Sequence, residues 1–307
     1  MKKPPPSRPF LLSAIVPVAL FPLFILGFVQ PSRAQYDVEG FSVFVDAGAL
    51  LPNAKQANFY DGRNGRPNTI MRVLHSQSYG TEIWQNLKNG GYITDAVGSK
   101  DNLQVEEWPE MYYKTTYQVG FGLRYGLGAG WGWLVRLDYA RLIAAGEWNL
   151  SSTNGTGILS NQGRYVRCGM YGLENRILID VALSKQIPLA DHWSMGVEAG
   201  FNFNNTKVQE HKMEIADKYY SILDIWDGNS PYDGIGTYEY MNQGGVGYGC
   251  FGTLLACYHI AGYGSLELGY SCYYMQTRFP EYNPDDAFAW QHVIFLRAVL
   301  SNFSFWQ

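Results

Sequence analysis

Apolar and polar residues alternate with a period of two in eight separate segments of this chain, and that alternation carries its structural message. In the segment TYQVGFGLRYG, Tyr117, Val119, Phe121, Leu123 and Tyr125 share one face, while Gln118, Gly120, Gly122 and Arg124 share the other. A helix would mix the two sets. The same split sets Trp193, Met195, Val197, Ala199 and Phe201 against Ser194, Gly196, Glu198, Gly200 and Asn202. Six further segments follow it: Phe41 to Leu51, from Trp133 onward, from Ile177 onward, Val246 to Tyr258, Ser265 to Tyr274, and from Ile294 onward. Each has the length of about ten residues that a tilted strand needs to cross a bilayer.

The connections sort into two kinds. Leu127–Gly132, Pro188–His192 and Ala261–Gly264 are tight turns, whereas Asn53 to about Met111, about Asn149 to Leu173, about Asn205 to Gly245 and Pro280 to Trp290 are long. Strict alternation of short and long puts every short turn at one end of a barrel and every long loop at the other. The expected fold is therefore all-β, an eight-stranded antiparallel transmembrane β-barrel with long extracellular loops. A soluble sandwich or closed barrel is the competing architecture; it would turn the larger apolar face inward.

The start of the chain adds a compartment. Lys2, Lys3 and Arg8 precede an apolar run from Phe10 to Val29, and Ser32-Arg33-Ala34 follow it. This is the order of a secretory signal, so residues 1–34 are expected to be cleaved near Ala34, leaving 35–307 as a single barrel domain. A membrane anchor is the alternative, weakened by Pro17 and Pro22 within the run. The leader holds four of the 23 basic residues and none of the 27 acidic ones, so the mature chain is acidic, which argues against nucleic acid as a partner. Composition agrees with a barrel: 34 glycines, 23 tyrosines and nine tryptophans accompany only 16% charged residues. Cys168, Cys250, Cys257 and Cys272 match no metal framework; secretion would permit disulfides, and no pairing is assigned among them.

On these features the chain from about Phe41 to Gln307 resembles the small eight-stranded bacterial outer-membrane barrels of the OmpA/OmpX type. The resemblance implies an integral outer-membrane protein surrounded by lipid and inserted by the barrel assembly machinery. Phe303-Ser304-Phe305-Trp306 looks like the aromatic insertion signal read by that machinery, although Gln307 follows it.

Candidate sites follow from the faces. Asp46, Arg124, Arg136, Asp138, Asp180, Glu198, Glu267 and Arg297 fall on the inward faces and are expected to form a charge network filling the lumen. A hairpin centred near Tyr263 would place His259 opposite Glu267. Such a filled lumen disfavours a general diffusion pore and leaves gated conductance open. Trp131, Trp133, Trp193, Tyr263, Phe305 and Trp306 gather at the short-turn end as an interfacial girdle. Thr81 to Asn89, closed by Gly90-Gly91, reads as a short helix that would cap the barrel mouth. Loops 53–111 and 205–245 are the expected contact surfaces for an envelope protein or a glycan. Tyr219, Tyr220, Trp226, Tyr232, Tyr238 and Tyr240 lie in the second of these, or pack on one another there. Asp224, Asp227 and Asp233 lack the spacing of the twelve-residue calcium loop, so no metal or other cofactor is assigned. The chain is read as a non-enzyme. The alternative is a lipid-modifying hydrolase or acyltransferase, or a protease, acting at the rim around His292, the one histidine suggestively placed for it.

Overall fold

The computed structural model describes residues 39–63, 69–77, 79–153, 165–222, 244–260, 264–279 and 288–301. The leader, Tyr263, Phe305, Trp306 and the third loop from residue 223 to 243 lie outside the described residues. The strands are β1 (Gly40–Leu51), β2 (Leu103–Glu107), β3 (Tyr112–Tyr113), β4 (Thr116–Gly128), β5 (Trp131–Ser152), β6 (Val166–Ala190), β7 (Trp193–Ile215), β8 (Lys218–Ser221), β9 (Gly244–Ile260), β10 (Gly264–Arg278) and β11 (Ala289–Ser301). Among the described residues, three α-helices, α1 (Ala54–Ala57), α2 (Ile70–His75) and α3 (Tyr79–Asn89), interrupt the first long connection.

Eight of these strands close a ring. β1 pairs with both β4 and β11, and the remaining pairs run β4–β5–β6–β7–β9–β10–β11, all antiparallel. They are the eight segments that alternation marks out. β2 and β3 add to β5, and β8 adds to β7, outside the ring. Closure removes free sheet edges, which is what a sheet exposed to hydrocarbon requires. The β4–β5 turn is tight because Ala129 and Gly130 both take positive φ, 52° and 72°. That is the pairing of conformations a two-residue hairpin turn uses. At Gly130 a Cβ would stand 2.4 Å from the Gln186 carbonyl oxygen, so only glycine fits there.

The polarity of the ring is inverted relative to a soluble protein. Leu296 (66% exposed), Phe201 (68%) and Leu183 (60%) point outward, while Arg136 (1%), Asp180 (0%) and Glu267 (0%) are enclosed. A soluble sandwich or barrel requires the opposite arrangement.

That inversion ends partway up three strands. On β6, Ile177, Ile179, Val181 and Leu183 face out, yet nearer the long-loop end Val166, Cys168 and Met170 face in and Arg167 is exposed. β5 changes likewise: Trp133, Val135, Leu137, Tyr139 and Ile143 are outward, then Trp148 and Leu150 are buried on the inner side and Glu147 is exposed. On β7 the change coincides with a bulge, after which Met213 and Ile215 are buried and Lys212 is partly exposed. The outer surface thus passes from apolar to charged near Ile143, Leu173 and Lys207. The tall ends of β5, β6 and β7 behave as an ordinary amphipathic sheet above the apolar band.

The first long connection covers the inner side of that tall sheet. Ile70, Val73 and Leu74 of α2 and Ile83 and Leu87 of α3 are fully buried in one cluster with Trp148, Leu150, Met170 and Met213. The local sequence supports each helix. Asn53 caps α1 by accepting from the Lys55 amide at 2.8 Å, and Thr69 caps α2 by accepting from the Arg72 amide at 3.2 Å. α3 ends where Gly91 takes φ 71°, with the Tyr92 amide bonded to the Leu87 carbonyl and the Gly91 amide to that of Lys88. This Schellman arrangement is what Gly90-Gly91 announces in the sequence. The helix expected over Thr81–Asn89 is thus present, two residues longer at its start.

Candidate functional site: the lumen charges and the cap above them

Inside the apolar band, alternate residues of every ring strand project into a lumen too narrow for anything but side chains. Arg124 donates to Glu267 through two hydrogen bonds of 2.8 and 3.0 Å and to Glu198 at 3.0 Å. Arg297 reaches the same two carboxylates, Glu198 at 2.7 Å and Glu267 at 3.3 Å, and Asp46 at 3.4 Å. Arg136 lies 2.5 Å from Asp180, 2.9 Å from Asp138 and 3.8 Å from Asp46. Asp180 also accepts from Tyr273 at 2.8 Å and from Asn202 at 2.5 Å, and the Tyr273 hydroxyl contacts Arg136. Aromatic faces cover the guanidiniums: Arg297 lies 4.3 Å from the Phe44 ring centre and 4.9 Å from that of Phe295. Eight residues expected in the lumen are therefore brought into one network.

His259 departs from its expected place. It pairs in register with Ser265, and its Nε2 lies 2.7 Å from Ser194 Oγ, while Glu267 stands opposite Cys257. The β9–β10 hairpin is centred on residue 262, with Ile260 paired to Gly264, not on Tyr263. Moving the centre by one residue shifts each partner by two. The face is preserved, as the period of two demands, but the neighbour changes.

A second buried cluster, between the lumen and the cap, contains residues absent from the expected network. Arg176 donates to Glu174 at 2.6 Å, to Gln56 at 3.0 Å and to Gln291 at 3.2 Å. The Tyr60 and Tyr113 hydroxyls donate to the other Glu174 oxygen at 2.8 and 3.1 Å. Tyr60 enters the wall where β6 has Gly172: a Cβ there would lie 2.3 Å from its ring. At the other end of Tyr60, His211 Nε2 lies 3.2 Å from the Tyr60 carbonyl oxygen, and its Nδ1 has no partner. Burial pushes the His211 imidazole down to about 4, so it is neutral around pH 7. Glu174, Arg176 and Asp180 lie on one period-two row, so extending the β6 alternation past Ile177 finds them. The partners Tyr60, Gln56 and Tyr113 arrive from a loop and carry no such signal.

On the outer surface, Trp131, Trp133 and Trp193 are exposed at the short-turn end, with Trp193 5.1 Å from Tyr258 and Lys185 over Trp131 at 4.8 Å. Tyr263, Phe305 and Trp306, the rest of the expected girdle, lie outside the described residues. His292 is outward facing, stacked on Tyr270 and bonded through Nδ1 to its hydroxyl at 2.8 Å. All four cysteines are free; Cys168 and Cys257 are buried.

No protein-family model matches the chain, and no curated protein matches it. Seven solved chains do. One is the outer membrane protein OprG from Pseudomonas aeruginosa, to which the chain is similar over 86% of its own length and 97% of that chain, at 9% identity and a TM-score of 0.37.

Proposed function

We propose that the chain is an integral bacterial outer-membrane β-barrel protein, delivered by a signal peptide cleaved near Ala34 and inserted by the barrel assembly machinery. Its role is structural or binding, exerted through its surface loops. The observation that carries this reading is the polarity inversion within single strands. The same β6 that turns Ile177, Ile179, Val181 and Leu183 outward exposes Arg167 beyond the apolar band. Hydrocarbon beside the first stretch and water beside the second account for both.

A lumen crossed by Arg124, Arg136 and Arg297, with Tyr60 seated above, supports a closed wall rather than a diffusion pore. Binding then falls to the loops, 53–111 and 205–245, the surfaces that suit an envelope protein or a glycan. A rim enzyme around His292 has weaker support, because among the described residues its ring is hydrogen-bonded to the Tyr270 hydroxyl and to no serine hydroxyl or carboxylate.

The test is fractionation and gel behaviour of the full chain in a bacterial host. The mature protein should reach the outer membrane, start at Gln35 and migrate faster unheated than boiled. Recovery in the soluble periplasm would refute the reading. Deleting 53–111 should leave the heat-modifiable barrel intact and remove its co-purifying envelope partner.

A further inference from the structure

Arg141, Asn175 and Lys207 stand in one row on the outside of the ring: Arg141 of β5 pairs in register with Asn175 of β6, and Asn175 with Lys207 of β7. All three lie on the outward faces, Arg141 and Lys207 exposed and Asn175 half-buried. The Lys114 amide bonds to the carbonyl of Ile143, the next outward residue of β5 after Arg141, so a third exposed cation flanks the row. Adjacent strands lie ~4.8 Å apart, which puts the backbones of Arg141 and Lys207 about 10 Å from each other. Their side chains are long enough to meet over the short Asn175 between them.

The row marks the level at which the outer surface stops being apolar. Toward the short turns its neighbours on β5 and β6 are Tyr139 and Ile177, both exposed. Among the described residues of β5, β6 and β7, no acidic side chain stands on the outward rows from this level to the short turns. Toward the long loops, outward acidic residues of β5 and β7 appear, and each is engaged: Glu147 lies 3.6 Å from Arg167, Glu210 lies 2.7 Å from Lys212, and Glu214 accepts from Tyr171 at 2.8 Å. Arg141, Lys207 and Lys114 make no ion pair among the described residues, and Asn175 Oδ1 has no donor there. In a chain with more acidic than basic residues, three cations without a counter-charge thus gather at the edge of the apolar band, the depth at which lipid headgroups begin.

We propose that this row binds a phosphate on the headgroup of an outer-leaflet glycolipid, with Arg141 and Lys207 closing on the phosphate from either side of Asn175 and Lys114 adding to the local positive field. The inference rests on the outer-membrane reading above, which turns the long-loop end outward, toward the leaflet built of phosphorylated glycolipid. Arginine and lysine hold phosphate oxygens by charge-assisted hydrogen bonds. Tyr139, Ile177 and the apolar residues below them on the same faces give the acyl chains of such a lipid a wall to lie against, which a free phosphate ion would not use.

The experiment is native mass spectrometry of the full mature chain refolded in detergent, with three probes: lipid A carrying two phosphates, the same lipid dephosphorylated, and inorganic phosphate. The phosphorylated lipid should be retained at about one per chain, at least tenfold more tightly than the dephosphorylated one, and inorganic phosphate should not displace it at equal concentration. Arg141→Gln with Lys207→Gln should weaken retention at least tenfold, whereas Lys55→Gln, an exposed cation of the cap, should leave it unchanged. Lys114→Gln with Lys207→Gln should weaken it as well and covers the case in which the first pair does not refold. Heat-modifiable migration of the same samples separates the two readings. A heat-modifiable barrel that retains both lipids equally, or whose retention is unaltered in either folded double variant, overturns the proposal and leaves the barrel standing; a chain that stays in solution without detergent overturns both.

Discussion

Arg124 and Glu267 meet across the lumen through hydrogen bonds of 2.8 and 3.0 Å, although 143 positions separate them in the chain. Their paired contact ties β4 to β10, which are not neighbours in the ring, and Glu198 and Arg297 complete a square of alternating charge around it. Desolvation offsets much of the attraction within such a group, whereas breaking one of its pairs leaves a buried charge uncompensated.

Replacing Glu267 by glutamine should therefore be harmful out of proportion to the change in size. Arg124 would keep only Glu198, which it shares with Arg297, and removing one member of a buried pair costs ~3–5 kcal/mol. Urea unfolding of the refolded protein, followed by tryptophan fluorescence, measures it. The double variant Arg124→Met with Glu267→Leu should recover part of the loss; equal or additive loss would show that the pair acts only by packing.

Gly172→Ala should unseat the cap and leave the barrel standing. The new Cβ would fall 2.3 Å from the Tyr60 ring, which is fixed at one end by Glu174 and at the other by His211. Limited proteolysis of the first long connection should accelerate at least tenfold while the heat-modifiable form persists. Unchanged cleavage would mean that Tyr60 does not anchor the cap.

Acid should loosen the same contact. His211 is neutral in the docked state because burial lowers it to about 4, and exposure on undocking returns it toward the usual 6.5. The undocked form then binds the extra proton, so docking is fully stable above about pH 6.5 and weakens as pH falls toward 4, by at most ~1.4 kcal/mol per unit. Protease sensitivity of the cap should rise over that window and level off below it. His211→Gln, which retains a donor for the Tyr60 carbonyl, should flatten the dependence.

His292→Ala addresses the enzymatic alternative. The envelope lipid profile and the protein's stability should both be unaltered, apart from loss of the Tyr270 contact. A changed lipid profile would move the functional site to the rim.

The ring itself was legible in the sequence because a bilayer-facing strand writes its outward side as a row of alternate apolar residues, as in Val135, Leu137 and Tyr139 of β5 or Ile294 and Leu296 of β11. The tall ends were not. At Met170, Cys168 and Val166 the apolar residues switch to the even-numbered side. A reader following the odd row sees the strand end, although the backbone continues. About Asn149 to Leu173 therefore reads as a loop where β5 extends to Ser152 and β6 begins at Val166. The lumen charges were legible for the same periodic reason. His259 was misplaced because period two fixes the face but leaves the partner to the turn, and Tyr60 was invisible because its place depends on the fold of a loop.

The central claim is that the outward face of the ring meets hydrocarbon, and Leu296→Arg tests it most directly. Leu296 lies midway along β11 and is 66% exposed. In water an arginine at so exposed a position changes stability by less than ~0.5 kcal/mol. Within a bilayer it should cost ~2–4 kcal/mol near the midplane. Urea unfolding of wild type and variant reconstituted in phosphatidylcholine vesicles distinguishes the two: a loss in that range is the expected result, and a stability equal to wild type would contradict the account.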